Sequence, residues 1–399
     1  MQARALVSTL AFGALCAVSG AANAATDCHS FTNTVTVAGS TAIKPLLAEV
    51  AKILSASTSA SGAPVTVLYA GLGSCVGVDA ALNGTPQLSD TVSYWDADGN
   101  EQTCSTGTVG LVADIGVSDV FASTCTSLPN GLPSNVVDFM GPVQTMTFVV
   151  PNASSQDTIS AEAAYYVFGF GADSGAAPWT DESVIFQRND QSGTQRMIAA
   201  AIGVDASVWH GVKTTSSSDM RQQVIAAGGV NPEGAIGILS ADDAQSNRAT
   251  LNVLAYQHFG QTCGSYPDRD ASSNEKENVR LGSYLIWGPM HMLATVDASQ
   301  HPSNPLAADI VGYIVGTKEP PAGLDLVALE AQHHVVPECA MRVSRTQELG
   351  PLAPSTPTQP CGCYYEKLAN GSTACTACNS DVDCGDANSI CSYHYCESL

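Results

Sequence analysis

The apolar positions of this chain change period along its length. Val35-Thr36-Val37, Val65-Thr66-Val67-Leu68-Tyr69 and Thr147-Phe148-Val149-Val150 are short runs rich in β-branched and aromatic residues. Such side chains suit a pleated, buried surface, so each run is predicted as a strand. Ile43, Leu46, Leu47, Val50, Ile53 and Leu54 recur instead at helical spacing and give one apolar face. Strand-like runs and alanine-rich helical stretches alternate to about Arg345, which predicts an α/β protein. From Gly350 to Pro360 the pattern stops: four prolines there exclude a helix or central strand and predict an extended linker, placed over residues 346–360. The tail that follows, 361–399, has few aliphatic residues and seven cysteines. It has too little apolar material for a core and is expected to rely on cross-links.

At the other end, Arg4 precedes an apolar run from Ala5 to Val18, and small residues lead to Ala22-Asn23-Ala24. This order reads as a secretory signal peptide, residues 1–24, cleaved after Ala24. Cys16 raises a lipoprotein alternative, but Leu15 stands where a lipobox has a small residue. No later run is long and clean enough to span a bilayer. The expected location is periplasmic or otherwise exported, secreted or at the cell surface.

Export makes disulfides the default state of the cysteines. Without Cys16, 13 of the 14 remain, so at least one thiol is free or paired outside the chain. Cys361-x-Cys363 and Cys375-x-x-Cys378 have metal-like spacing, but Cys384, Cys391 and Cys396 beside them favour a disulfide knot.

The formal charge is −22, from 15 basic and 37 acidic residues. Such a surface argues against nucleic acid or an anionic membrane as partner. It also opposes long-range attraction of an anion, so a bound anion has to be captured by local donors.

Three strand-to-helix turns offer such donors. In Gly39-Ser40-Thr41-Ala42, followed by Pro45, a glycine turn leads to a helix that Ser40 or Thr41 is expected to cap. In Gly71-Leu72-Gly73-Ser74-Cys75, with Gly77, a second glycine-rich turn opens a helical stretch from Val76 to Leu82. In Arg188-Asn189-Asp190-Gln191-Ser192-Gly193-Thr194, a guanidinium, two hydroxyls and the free amides of a helix start meet in one turn, with Asp190 placed to hold Arg188. A fourth piece, Ala113 to Val120, is a buried-looking strand that delivers Asp119. A carboxylate beside an anion pocket fits only a ligand that carries a proton, as monohydrogen phosphate does and sulfate at neutral pH does not.

These pieces, in this order over about 300 residues, resemble the phosphate-binding proteins of bacterial phosphate ABC transporters. Gly234-Ala235-Ile236-Gly237 resembles a further strand of that family, with Ile238 where the family has tyrosine. The resemblance implies a two-lobed periplasmic binding protein of the type II, Venus-flytrap kind, α/β, with two crossover strands, here near Phe139–Val150 and Val279–Met290. Residues 25–142 and 287–345 would form lobe one and 143–286 lobe two, with the cysteine-rich tail outside the family pattern. It implies high-affinity binding of inorganic phosphate by Thr41, Ala42, Ser74, Asp119, Arg188, Ser192, Gly193 and Thr194, supported by Ser40 and Asp190. It implies delivery to an ABC permease by a monomer, with no cofactor, no metal and no catalysis. A same-fold oxyanion module used for sensing or adhesion is the alternative, and a phosphoester hydrolase a more distant one. Cys75 is placed to tether the Ser74 loop, Pro86–Cys104 looks inserted, and the tail's partner is unknown. Asp96-x-Asp98-Gly99-Asn100 begins like a calcium loop but has no glutamate at the twelfth position, which favours a hairpin turn. His333-His334 are read as exposed or packed side chains rather than metal ligands. Ser192-Gly193-Thr194 is no nucleophile elbow, since G-x-S-x-G is absent.

Overall fold

A computed structural model describes residues 26–56, 63–86, 88–385 and 388–398. The signal-peptide reading of residues 1–24, with Cys16, lies outside the described residues. Among the described residues, no helix is long and apolar enough to cross a membrane.

The predicted strand runs fall in Thr34–Gly39, Thr66–Gly71 and Val136–Pro151. The helical face lies on Lys44–Ala56, where Leu46, Leu47, Val50 and Leu54 are buried. Two long strands organise the rest. The first part of Val136–Pro151 pairs antiparallel with Trp287–Thr295, from Val136 opposite Thr295 to Thr145 opposite Trp287. Its remainder, Met146 to Pro151, pairs with Gly237–Ser240 and Leu251–Val253. The chain therefore leaves one body on Val136–Pro151 and returns on Trp287–Thr295. Apolar packing divides accordingly: Val35, Leu47, Val67, Ile115, Met292 and Ile310 belong to one core, and Phe148, Phe168, Ile198, Trp209 and Ile236 to another.

In the first body the strand order is Thr66–Gly71, Thr34–Gly39, Ile115–Ser118, Trp287–Thr295, then Val136–Pro151. The returning strand is inserted between Ile115–Ser118 and Val136–Pro151, which are consecutive along the sheet but for it. This is a two-lobed α/β fold with two crossover strands. The second crossover begins later than its expected position near Val279, because Glu277–Arg280 is a short helix. Asn278 Nδ2 pins that helix by donating to the carbonyls of Tyr266 (3.1 Å) and Asp268 (2.6 Å).

The segment Pro86–Cys104 forms most of a hairpin, Leu88–Trp95 with Glu101–Leu111. Its turn is closed by Asp96 Oδ1, which accepts from the amides of Asp98 (3.1 Å) and Asn100 (2.9 Å). The first acid of the calcium-like motif, Asp96, thus serves the turn itself.

The proline-rich segment is not a free linker. Ala353–Pro354 pairs with Val343–Ser344, the Ser355 amide donates to Arg342 O at 2.9 Å, and Leu352 packs against the second lobe. Proline lacks a donor but tolerates an edge position, so an extended proline-rich strand can still dock.

The disulfide-rich tail is present, yet it is docked as well as cross-linked. Cys361 is bonded to Cys339, and the helix Gly362–Asn370 places Tyr365, fully buried, in the second lobe's core. Arg280 lies over the Tyr365 ring at 5.8 Å. The other pairs are Cys363–Cys375, Cys378–Cys391 and Cys384–Cys396 in the tail, and Cys28–Cys104 and Cys75–Cys125 in the body. Sulfurs of Cys378, Cys384 and Cys396 lie within 4.8 Å of one another, but each is oxidised and has no thiolate to offer a metal. Among the described residues the one free cysteine is Cys263, which is exposed. Six disulfides fit an oxidising compartment.

Because the tail shares a core, removing it should cost stability. Tyr365→Ala is expected to destabilise the protein by about 3 kcal/mol, the usual loss for a large buried ring. Deleting everything after Pro351 should lower the melting temperature further. Thermal unfolding checks both, and an unchanged midpoint would show the tail to be independent.

Candidate functional site

The candidate site is built where three glycine turns meet Asp119. At the end of Thr34–Gly39, Gly39 has φ 137°, and a Cβ there would lie 2.0 Å from Val117 O. Only glycine lets the two strands approach so closely. Ser40, next in line, does not cap the helix that begins at Lys44. Its hydroxyl accepts from Ala42 N at 3.1 Å and donates to the Asp119 carboxylate at 2.6 Å. Pro45 sits in that helix's first turn, where a missing N–H costs little.

At the second turn, Gly73 (φ 111°) precedes Ser74, the first residue of the helix Ser74–Asn83. Ser74 Oγ donates to Asp119 Oδ2 at 2.9 Å and accepts from Asp119 N at 3.2 Å. The Cys75–Cys125 disulfide ties this helix start to Ala122–Cys125, just beyond Asp119. The carboxylate is thus held by two hydroxyls and a cross-linked loop.

The third turn comes from the other lobe. Gly193 opens the helix Gly193–Ile202, and Ser192 caps it by accepting from Gln195 N at 3.5 Å. A Cβ on Gly193 would stand 2.1 Å from Ser74 Oγ and 2.7 Å from Asp119 Oδ2. The lobes therefore touch here, and Cys75 N donates across the contact to Gln191 O at 3.1 Å. Ser192 and Thr194 are buried beside it. The first amides of this helix have no partner within the helix, so its N-terminus presents donors and a positive dipole end.

Arg188 is buried, 3% exposed. Its Nη1 donates to Ser217 Oγ at 2.8 Å, and its Nε has no hydrogen-bond partner. Asp190 was expected to hold this guanidinium and does not. The turn closed by Ser192 N on Asn189 O (3.1 Å) leaves the Asp190 carboxylate with Gln191 Nε2 at 3.4 Å, while Arg196 Nε takes the Asp190 carbonyl at 2.6 Å. Ser217 fills the bracing role instead. Thr41 and Ala42 line an interlobe cleft of about 220 Å³, facing Ser217, Arg221, Ser240, Asp242 and Asp243. Ser217 connects that cleft to Arg188.

Burial raises the Asp119 pKa, against the hydrogen bonds from Ser40 and Ser74 and the attraction of His291 and Arg188. Burial likewise lowers that of Arg188, opposed by Asp119, Asp219 and Asp243. Other buried acids behave like Asp119, and two shift far. Burial pushes Asp242 up to about 7, and it pushes Glu348, which accepts from Phe121 N at 3.2 Å, up to about 7. Unfolded, these carboxyls release their protons near 3.8 and 4.5. Between those values and about 7 the folded state holds more protons, so stability should fall as pH rises through that window. Melting temperatures at pH 5 and pH 8 check this, and Asp242→Asn with Glu348→Gln should flatten the difference.

Ser217, Asp242 and Glu348 were not among the residues picked from sequence. Ser217 had a signal: Thr214-Thr-Ser-Ser-Ser-Asp219 is a hydroxyl-rich run opening the helix Ser217–Ala227, capped by Ser216. Glu348 had none, lying in what reads as a linker.

No family model and no curated protein matches the chain. Solved structures overlap it more widely. A phosphate transport receptor from Vibrio cholerae is 14% identical, with 76% of this chain and 99% of that chain covered, TM-score 0.49. A phosphate-bound putative phosphate ABC transporter substrate-binding protein from Clostridium perfringens gives the same figures: 14%, 76%, 99% and 0.49. The regulatory domain of OxyR from Pseudomonas aeruginosa is 10% identical, with 71% and 98% covered, TM-score 0.36. Overlaps at this level assign no ligand. The site must be read from its own chemistry.

Proposed function

We propose that this protein is an exported receptor that binds monohydrogen phosphate between its lobes and delivers it to an ABC permease. One observation carries the reading: a buried carboxylate, Asp119, lies against the N-terminus of the helix Gly193–Ile202, at a contact made by both lobes. An acid next to converging donors suits an oxyanion that keeps one proton. Asp119 accepts the P–OH hydrogen bond. The amides of Gly193 and Thr194, the hydroxyls of Thr41, Ser192 and Thr194, and the fork of Arg188 take the other oxygens, while Ser74 holds Asp119 and the Ala42 amide is engaged by Ser40. Ser40 fixes Asp119 from behind, and Ser217 fixes Arg188. A fully ionised sulfate offers no proton to Asp119 and meets its charge instead.

Donors from both lobes make binding favour closure, and a permease able to read the closed form would complete uptake. The hydroxyls of Ser40 and Ser74 both donate to Asp119 and so fix the carboxylate in place.

Asp119→Asn is expected to bring phosphate and sulfate affinities within about tenfold of each other, since the repulsion that rejects sulfate is gone. Competition calorimetry measures this, and selectivity kept at the wild-type level would remove Asp119 from its role. Delivery has its own test, phosphate uptake by cells lacking the chain. Unchanged uptake with intact binding would point to sensing.

A further inference from the structure

A second cavity lies away from the proposed phosphate cleft. It encloses about 980 Å³ between the first lobe and the C-terminal tail. The turn after the helix Pro305–Ile314 forms one wall and the helix Leu326–Gln332 another. The proline-rich residues 355–359 and two tail tyrosines, Tyr364 and Tyr393, close the remaining sides.

Glu330 faces this space while only 4% exposed. No described group donates a hydrogen bond to its carboxylate, and no cation pairs with it; the charges that act on it, Asp325 and Glu338, have its own sign. A buried acid without donor or counter-ion is costly, and natural proteins keep such groups where something else supplies the charge. Glu319, Asp325 and Glu338 line the same cavity, against a single lysine, Lys318, which is already paired with Asp309.

The aromatic residues point to the same kind of ligand. Tyr364 and Tyr393 stack with centroids 5.2 Å apart and planes at 9°. Lys318 Nζ lies 5.4 Å from the Tyr313 ring centre, so this wall already seats one ammonium on a tyrosine. Among the described residues, no three of these carboxylates bring oxygens within 4.8 Å of one another. That spread does not suit a single metal ion, and it does suit amine groups carried on an extended chain.

We propose that this cavity binds an alkylammonium ligand, with Glu330 as its counter-ion and the Tyr364–Tyr393 pair as its aromatic wall. The tail then has a task independent of the phosphate site: it supplies one side of a cation site that the first lobe cannot close alone. The protein's net charge of −22 works in favour of such a ligand, as it works against phosphate.

Calorimetry on the whole exported chain, in about 0.15 M salt to screen diffuse attraction, tests this with two probes, spermidine and a trilysine peptide. At least one should bind at a single site. Spermidine binding identifies a free polyamine as the source, and binding of the peptide alone identifies an amine borne on a protein. Glu330→Gln, which keeps the side chain's size and should fold, is expected to weaken that binding at least tenfold. Tyr393→Ala should weaken it as well, and phosphate affinity should stay unchanged in both variants. Failure of both probes to bind, or equal binding by wild type and Glu330→Gln, would overturn the proposal.

Discussion

Arg188→Ala is expected to weaken phosphate binding by about 100- to 1,000-fold. A charge-assisted hydrogen bond contributes roughly 1.5–3 kcal/mol, and a guanidinium fork makes two. The loss is larger than for a surface arginine because Arg188 is 3% exposed and its Nε has no other partner. Its removal also leaves Asp119 without the nearest positive charge acting on it from the second lobe. Ser217→Ala should give a smaller loss, since it frees the guanidinium without deleting it. Titration calorimetry ranks the two. An Arg188→Ala protein with wild-type affinity would move the site elsewhere.

Gly193→Ala is expected to weaken phosphate binding through a single added methyl group at the contact between the lobes. The added Cβ would sit 2.1 Å from Ser74 Oγ and 2.7 Å from Asp119 Oδ2, both fixed groups. Ser74 is held by its two contacts with Asp119 and by the disulfide at Cys75, so neither neighbour can move aside cheaply. Overpacking of this kind costs about 1–3 kcal/mol. Here the cost falls on the closed form alone, since the clash is between lobes. Phosphate affinity should fall by about 10- to 100-fold while the melting temperature of the ligand-free protein changes little. Small-angle scattering should show the variant more extended than wild type in saturating phosphate. Full closure would mean that the lobes do not approach at Gly193.

Much of this was legible in the sequence, for identifiable reasons. β-branched runs and one amphipathic helix located the first lobe's strands, because burial on a sheet or helix face dictates periodicity. The glycine–hydroxyl turns were readable because a tight turn into a helix demands those residue types. Asp119 stood out because a carboxylate at a strand end next to such turns needs a reason to be there. What was hidden depended on three-dimensional pairing. Asp190 is two residues from Arg188, yet the intervening turn sends the two side chains to different partners, and Ser217 comes from a helix 29 residues on. The proline-rich segment reads as linker in composition, but edge pairing and the burial of Glu348 are tertiary. The tail looked separate because it lacks aliphatic residues, whereas a single buried ring, Tyr365, and one disulfide suffice to join it to the second lobe.

The acidic field sets a limit on how the anion can be captured. With a charge of −22, phosphate approaches against repulsion, and salt should speed rather than slow its association. Affinity then has to reside in a slow release from the closed site.

The most direct test is titration of the purified protein with phosphate and, separately, with sulfate at neutral pH. The proposed role of Asp119 predicts one tight phosphate site and sulfate binding at least a hundredfold weaker; equal affinity for the two ions, or no phosphate binding at all, would contradict it.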